Sequence, residues 1–140
     1  MQIHFKKLTK AAKSPIYSLR GDAGMDLFSD EDATIQPGES HAISTGIAME
    51  IPYSYVGLVW DKGGIAKKGL KTVAGVVDAG YRGDIAVQVV NLGKKDYKIS
   101  KGDKVAQMLI QKVELPLLVE AKELSDSERG DKRWGSTGIK

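Results

Sequence analysis

The sequence predicts an all-β chain, an antiparallel barrel or sandwich of short strands. Three observations carry that expectation. Short stretches rich in Val, Ile, Thr, Tyr and Phe recur along the chain, and these residue types suit a pleated, half-buried surface. Turn residues separate them at even intervals, helped by sixteen glycines. No window sustains a helical period for more than a turn or two. A chain of 140 residues is also large enough to close one real core.

Taken in order, Ile3 to Leu8 alternates loosely and reads as a first strand. Ala11 to Arg20 is polar, contains Pro15 and reads as a loop. Ala23 to Phe28 is a short strand with Asp26 among apolar neighbours. An inward carboxylate is costly unless paired. Asp26 therefore points to solvent or caps a turn, or it meets a cation near a binding site. Ser29-Asp30-Glu31-Asp32 lacks the glycine and terminal glutamate of a calcium loop and reads as a solvated acidic turn.

Ala33 to Ile35 and His41 to Ile43 read as short strands around Pro37-Gly38. Gly46 to Ile51 and Tyr55 to Trp60 read as the next pair, joined through Pro52. Asp61 to Leu70 then sets Gly63-Gly64 beside lysines, where backbone N–H groups suit a phosphate. From Gly64 the string approaches a P-loop, but Leu70 stands where the lysine belongs and no helix is expected to follow. That motif is rejected, and alone the loop reads as an exposed turn.

The stretch AGVVDAGYRGDI, Ala74 to Ile85, concentrates the chemistry. Val76 and Val77 end an apolar run, Asp78-Ala79-Gly80 reads as a turn, and Ile85 to Val90 reads as the returning strand of a hairpin. The ends of a β-turn lie within about 7 Å, so Asp78 and Tyr81 are expected at one spot with Arg82 beside them. Taken alone, an Asp opening a turn is ordinary turn chemistry.

Asn91-Leu92-Gly93 is a turn, Asp96 to Ile99 a strand, Gly102-Asp103 a turn, and Lys104 to Ile110 a strand. Gln107, polar within that strand, reads as the outward residue of an alternating pattern. Val113 to Ala121 reads as a last strand, with Pro116 marking an edge. The final SERGDKRWGSTGIK has no strand pattern. Its cations, hydroxyls and indole suit a polyphosphate and a base, and a frayed basic terminus has the same composition.

The totals exclude several classes. With no cysteine, disulfides, thiolate zinc sites and a cysteine nucleophile are out. No apolar run approaches a membrane span of about 20 residues. MQIHFKKLTK is not a signal peptide, so a cytoplasmic protein is the default. A net charge of +3 is mild, and aromatics are too few for the usual nucleic-acid readers.

Five segments in this order resemble the trimeric dUTPase family: AGMDLFS from Ala23, DKGGIA from Asp61, AGVVDAGYRGDI from Ala74, GDKVAQMLI from Gly102 and RGDKRWGSTG from Arg129. The resemblance covers nearly the whole chain and implies a jelly-roll-like β fold assembled as a homotrimer. Residues 1–124 would form the barrel, and 125–140 a flexible arm carrying the fifth motif. The implied reaction is hydrolysis of dUTP to dUMP and pyrophosphate, with Mg²⁺ carried on the triphosphate and no metal ligand from the protein.

By the same resemblance, Asp78 activates the attacking water and holds the 3′-hydroxyl, and Tyr81 lies under the sugar. The hairpin around Gly75, Val76, Val77 and Ala86 reads the uracil edge, with Thr72 on the same arm. Lys62, Gly63 and Gly64 form the phosphate loop, and Gln107 contacts phosphate or the water. Arg129 meets the terminal phosphate, Trp134 stacks on the base, and Gly135 and Ser136 add phosphate contacts. Asp26, in the first motif, supports the site.

Three positions depart from the family pattern. Lys62 stands for the usual arginine and lacks its bidentate fork, Gly63 stands for serine, and Trp134 stands for phenylalanine. The alternatives are a dCTP deaminase-like or bifunctional enzyme, and a non-catalytic nucleotide sensor. The first needs a carboxylate where Gln88 stands.

Overall fold

A computed structural model describes residues 1–132. The strands are β1 (His4–Lys7), β2 (Met25–Phe28), β3 (Ala33–Ile35), β4 (Ser40–Ile43), β5 (Ile47–Glu50), β6 (Tyr55–Trp60), β7 (Leu70–Thr72), β8 (Val76–Val77), β9 (Val87–Asn91), β10 (Tyr97–Ile99) and β11 (Lys104–Lys112). A single helical turn, α1 (Gly63–Ala66), follows β6. Every strand pairing is antiparallel. The sheets run β1-β5, β10-β3, β2-β11-β6-β8 and β4-β9-β7, and together they form a jelly-roll-like barrel.

The core explains why these segments are strands. β9 alternates, with Val87, Val89 and Asn91 inward and Gln88 and Val90 half-buried. Leu27, Ile35, Ile43, Ile47, Ile85 and Met108 meet those valines in one cluster. The nine-residue β11 lies between β2 and β6, so Gln107 is opposite both Asp26 and Trp60. Two motifs distant in sequence are adjacent for that reason alone.

Four sequence expectations are corrected. The pair expected across Pro52 does not form, since β5 pairs with β1 and β6 with β11 and β8; the strands around Pro37-Gly38 likewise find distant partners, β3 with β10 and β4 with β9. A jelly roll closes its sheets through distant partners. The expected 74–85 hairpin does not zip either. β8 pairs with β6, and the returning strand β9 starts at Val87 and pairs with β7. No strand lies within Val113 to Ala121, because β11 ends at Lys112 and the following leucines find no sheet edge in this chain. Finally, Ser29 and Asp30 are buried rather than solvated; Asp30 accepts Thr9 Oγ1 and pairs with Lys101 at 2.9 Å.

Two of the buried polar residues, Asn91 and Asp26, tie together segments distant in sequence. Asn91 points inward from β9 and is satisfied on both sides of its amide. Its Nδ2 donates to the Ile35 carbonyl at 2.8 Å and the Lys95 carbonyl at 2.9 Å, and its Oδ1 accepts from Gly93 N at 2.9 Å. Asp26 is 3% exposed. It takes Lys104 Nζ at 2.6 Å, Ser18 Oγ at 2.7 Å and the Lys62 ammonium. Burial alone would raise its carboxyl, but the bonds from Lys104, Lys62 and Ser18 outweigh it and hold the pKa at about 2.

Asn91→Ala leaves the Ile35 and Lys95 carbonyls and the Gly93 amide without their partner. It is expected to cost about 2–3 kcal/mol, read as a lower urea midpoint. Because the folded Asp26 carboxyl ionises more readily than in the unfolded chain, its contribution, on the order of 2 kcal/mol, is complete above about pH 4 and lost as pH falls towards 2. Asp26→Asn should therefore flatten the acid limb of stability measured by urea unfolding between pH 5 and pH 2.

Candidate active site

The Asp78 turn is built as the residue types require. Tyr81 N donates to the Asp78 carbonyl at 3.0 Å, closing the turn. Both residues line a shallow cleft of about 240 Å³ together with Val76, Val77, Asp84, Ile85 and Ala86. Five of the sequence-predicted residues thus share one cleft. Asp78 is exposed, and its carboxylate is free to meet a ligand.

What fixes this turn was not legible beforehand. The Tyr81 hydroxyl donates to the Asp84 carbonyl at 2.9 Å. The Asp84 carboxylate in turn accepts Ser44 Oγ at 2.5 Å, Thr45 Oγ1 at 3.3 Å and Ile47 N at 3.2 Å. Thr45, fully buried, also donates to the Ile85 carbonyl at 2.8 Å. The turn is pinned to the β4–β5 corner on its far side. Arg82 closes the tip, donating to the Ala79 carbonyl at 2.6 Å.

The arm leading into the turn crosses between sheets. Val73 N donates to the Gln88 carbonyl at 3.0 Å, the last bond to β9, and Val59 N then donates to the Gly75 carbonyl at 2.8 Å. A Cβ on residue 75 would lie 2.4 Å from the Val59 carbonyl oxygen, so only glycine lets the backbones approach. Thr72, Gly75 and Val76 line a second cleft of about 260 Å³ with Leu58, Val59, Trp60, Lys71, Val73 and Ala74.

A separate group gathers around α1. Lys62 precedes it and is tied to Asp26. Gly63 and Gly64 form its first turn, with no side chain capping it. The exposed turn expected here is a helical turn instead, closed by Ile65 N and Ala66 N donating to the Lys62 carbonyl, both at 2.9 Å. Gln107 does not simply face outward: its Nε2 donates to the Asp61 carbonyl at 2.9 Å. The Asp61 carboxylate binds Lys71 and Thr72, and those bonds lower its pKa against the raising effect of burial.

The structure therefore brings the predicted residues together in two groups, not one. None of Lys62, Gly63, Gly64, Gln107 or Asp26 lines the Asp78 cleft. Arg129 lies in the exposed stretch after β11 and lines neither cleft. Trp134, Gly135 and Ser136 fall outside the described residues. A larger cleft, about 520 Å³ among Lys68, Lys94, Lys95, Tyr97 and Lys98, includes none of the predicted site residues.

Among the described residues, no three carboxylates or imidazoles converge as a metal cage. Asp26 and Asp61 are each already engaged by lysine. No helix of the described residues is long and apolar enough to cross a membrane.

Comparison with known proteins gives the family. The family model for dUTPase matches residues 10–138. The chain is 43% identical over 141 residues to the deoxyuridine 5'-triphosphate nucleotidohydrolase of Clostridium kluyveri, with 99% of each covered. Its fold matches a mutant dUTPase of Staphylococcus bacteriophage 80alpha solved with dUpNHpp, at a TM-score of 0.92 and 31% identity, covering 99% of both chains. It is also similar to a mutant dUTPase from phage phi11 of S. aureus, whose structure concerns the coordination of a structural Mg(II) ion, at a TM-score of 0.83 and 28% identity over 88% of this chain and 98% of that one. With the match spanning both the Asp78 turn and the α1 loop, the chain belongs to the dUTPase family.

Proposed function

We propose that this chain hydrolyses dUTP to dUMP and pyrophosphate, with Asp78 as general base. The observation that carries the reading is the cleft shared by Asp78, Tyr81, Val76, Val77 and Ala86. A flat base meets the backbone edge of Val76 and Ala86, and the sugar lies on Tyr81. Water held by the Asp78 carboxylate attacks the α-phosphorus. Its oxygen bonds to phosphorus as the bond to the bridging oxygen breaks, pyrophosphate leaves, and the proton passes to Asp78. Such a step needs a positioned nucleophile and spread positive charge more than covalent help.

The substrate is the magnesium complex of dUTP, so the ion enters with the triphosphate. Lys62 and Lys104 share the single Asp26 carboxylate, which leaves a net positive charge beside the uncapped Gly63 and Gly64 amides. Gln107, Arg129, Gly135 and Ser136 complete the phosphate contacts and Trp134 covers the base. The barrel of residues 1–124 thus works with an arm of residues 125–140.

We further infer a homotrimer with each active site between subunits. The separation of the α1 group from the Asp78 cleft within one chain supports this, because one dUTP spans both. The exposure of Leu117 at 89% and Leu118 at 90% supports a segment that packs on a neighbour. The absence of cysteine suits a cytoplasmic site of action.

Pyrophosphate release from dUTP, compared with dCTP, UTP and dTTP with and without Mg²⁺, tests the reaction. Turnover of dUTP alone is expected, and ammonia release from dCTP would replace this reading with deamination. Asp78→Asn should lower kcat roughly 100- to 10,000-fold with an unchanged melting temperature, since Asp78 is exposed. A Cβ on residue 63 meets nothing within 4 Å, so Gly63→Ser fits and should hold or raise kcat/KM. A large loss there would show that the loop binds differently.

A further inference from the structure

We propose that Asp61 is a positioning residue that holds the phosphate loop and the base-reading arm in one register, an inference resting on the dUTP reading above. Asp61 is the first residue after β6, and its side chain is 17% exposed. One carboxylate oxygen accepts both the Thr72 amide at 2.7 Å and the Thr72 hydroxyl at 2.6 Å. The other takes the Lys71 ammonium. Its own carbonyl accepts Gln107 Nε2 at 2.9 Å. One residue is therefore fixed to β7 by its side chain and to β11 by its backbone.

What lies on either side gives those bonds their consequence. The next residue, Lys62, starts α1 through its carbonyl, so the place of Asp61 sets the origin of the loop that carries Lys62, Gly63 and Gly64. Thr72 is the last residue of β7, just before the chain leaves β9 and crosses to β6. The Asp61 carboxylate thus joins the β2-β11-β6-β8 sheet to the β4-β9-β7 sheet at the fork from which Gly75, Val76 and Asp78 depart. Bonds to an ionised acceptor are the stronger kind, and Lys71 supplies the charge that makes a half-buried carboxylate tolerable.

The isosteric Asp61→Asn separates charge from shape. Its amide oxygen still accepts from Thr72, but its NH₂ group faces the Lys71 ammonium, donor against donor. Thr72→Val removes the hydroxyl bond of the same link from the arm side, keeps the amide bond and leaves the phosphate loop's own residues untouched.

Binding of the two halves of the substrate reads the link directly, by calorimetry with dUMP for the arm and tripolyphosphate for the loop. Asp61→Asn is expected to weaken both ligands about five- to tenfold, and Thr72→Val to weaken tripolyphosphate about threefold although it lies on the base side, effects of the size of a lost charge-assisted or neutral hydrogen bond. The double variant should lose less than the sum of the two single changes, because both act on the bonds of one carboxylate and so couple. Asp61→Asn weakening only one ligand, Thr72→Val leaving tripolyphosphate binding unchanged, or additive losses would each overturn the proposal. Should Asp61→Asn not fold, as judged by its circular dichroism melt, the cross-effect of Thr72→Val decides alone. A wild-type chain that fails to turn over dUTP would remove the parent reading, whereas these binding outcomes report on Asp61 itself.

Discussion

The architecture turns on one excursion of the backbone, where the chain leaves β9 after Val73 and returns to it at Val87. Between those points it completes a different sheet, with Val76 and Val77 paired to Leu58 and Gly57. A tight hairpin would have satisfied the same backbone groups locally and left no concavity. By opening, the segment exposes a backbone edge and a turn while every flank stays tied to a sheet. Gly75 makes the crossing sterically possible, and Asp84 anchors its far end to the β4–β5 corner. The proposed role of the turn depends on this combination, because a general base acts through fixed position and a two-residue strand such as β8 has little rigidity of its own.

Electrostatics reinforces the same design. Asp26, Asp30, Asp61 and Asp84 all turn away from bulk water, and the first three each hold at least one lysine. An isolated carboxylate in such places would protonate or unfold its surroundings. Paired, each carboxylate becomes a junction between strands distant in sequence: β2 with α1 and β11, and β6 with β7. Asp78 differs, being exposed at the tip of a turn. The fold uses these buried aspartates to build, and in the proposed reaction it is the exposed Asp78 that meets the water.

Much of this was legible in the sequence, for local reasons. Strand positions follow from β-branched runs and turn residues, so β1, β2, β6, β10 and β11 lie close to where the pattern puts them. The Asp78–Tyr81 turn follows from Asp and Gly at their preferred places. Pairing was not legible, because alternation says which face a residue occupies and nothing about which strand lies alongside. The acidic run at Ser29–Asp32 was misread for a related reason: composition suggests water, while Thr9 and Lys101, its partners, are remote in sequence. Asp84 and Asp61 gave no signal, since a carboxylate's worth as an anchor depends on donors that only the fold supplies. The 113–121 segment has strand composition without a partner strand in the chain, and local propensity does not form a strand without one.

The departures from the family pattern make sense together once the contacts are known. An ammonium at residue 62 is a compact charge that a single buried oxygen of Asp26 can hold, whereas a guanidinium would demand a fork of acceptors. Lys104 occupies the other oxygen of the same carboxylate, so no second acceptor is left for such a fork. The missing hydroxyl at Gly63 leaves the loop to bind through its amides, and amides bind only as well as their backbone is placed. That shifts the burden of precision from side chains to whatever fixes the start of α1. Here this is Asp61, held on one side by Thr72 and on the other by Gln107. A loop with fewer side-chain contacts requires a firmer origin, and the chain supplies it from the same residue that steadies the base-reading arm.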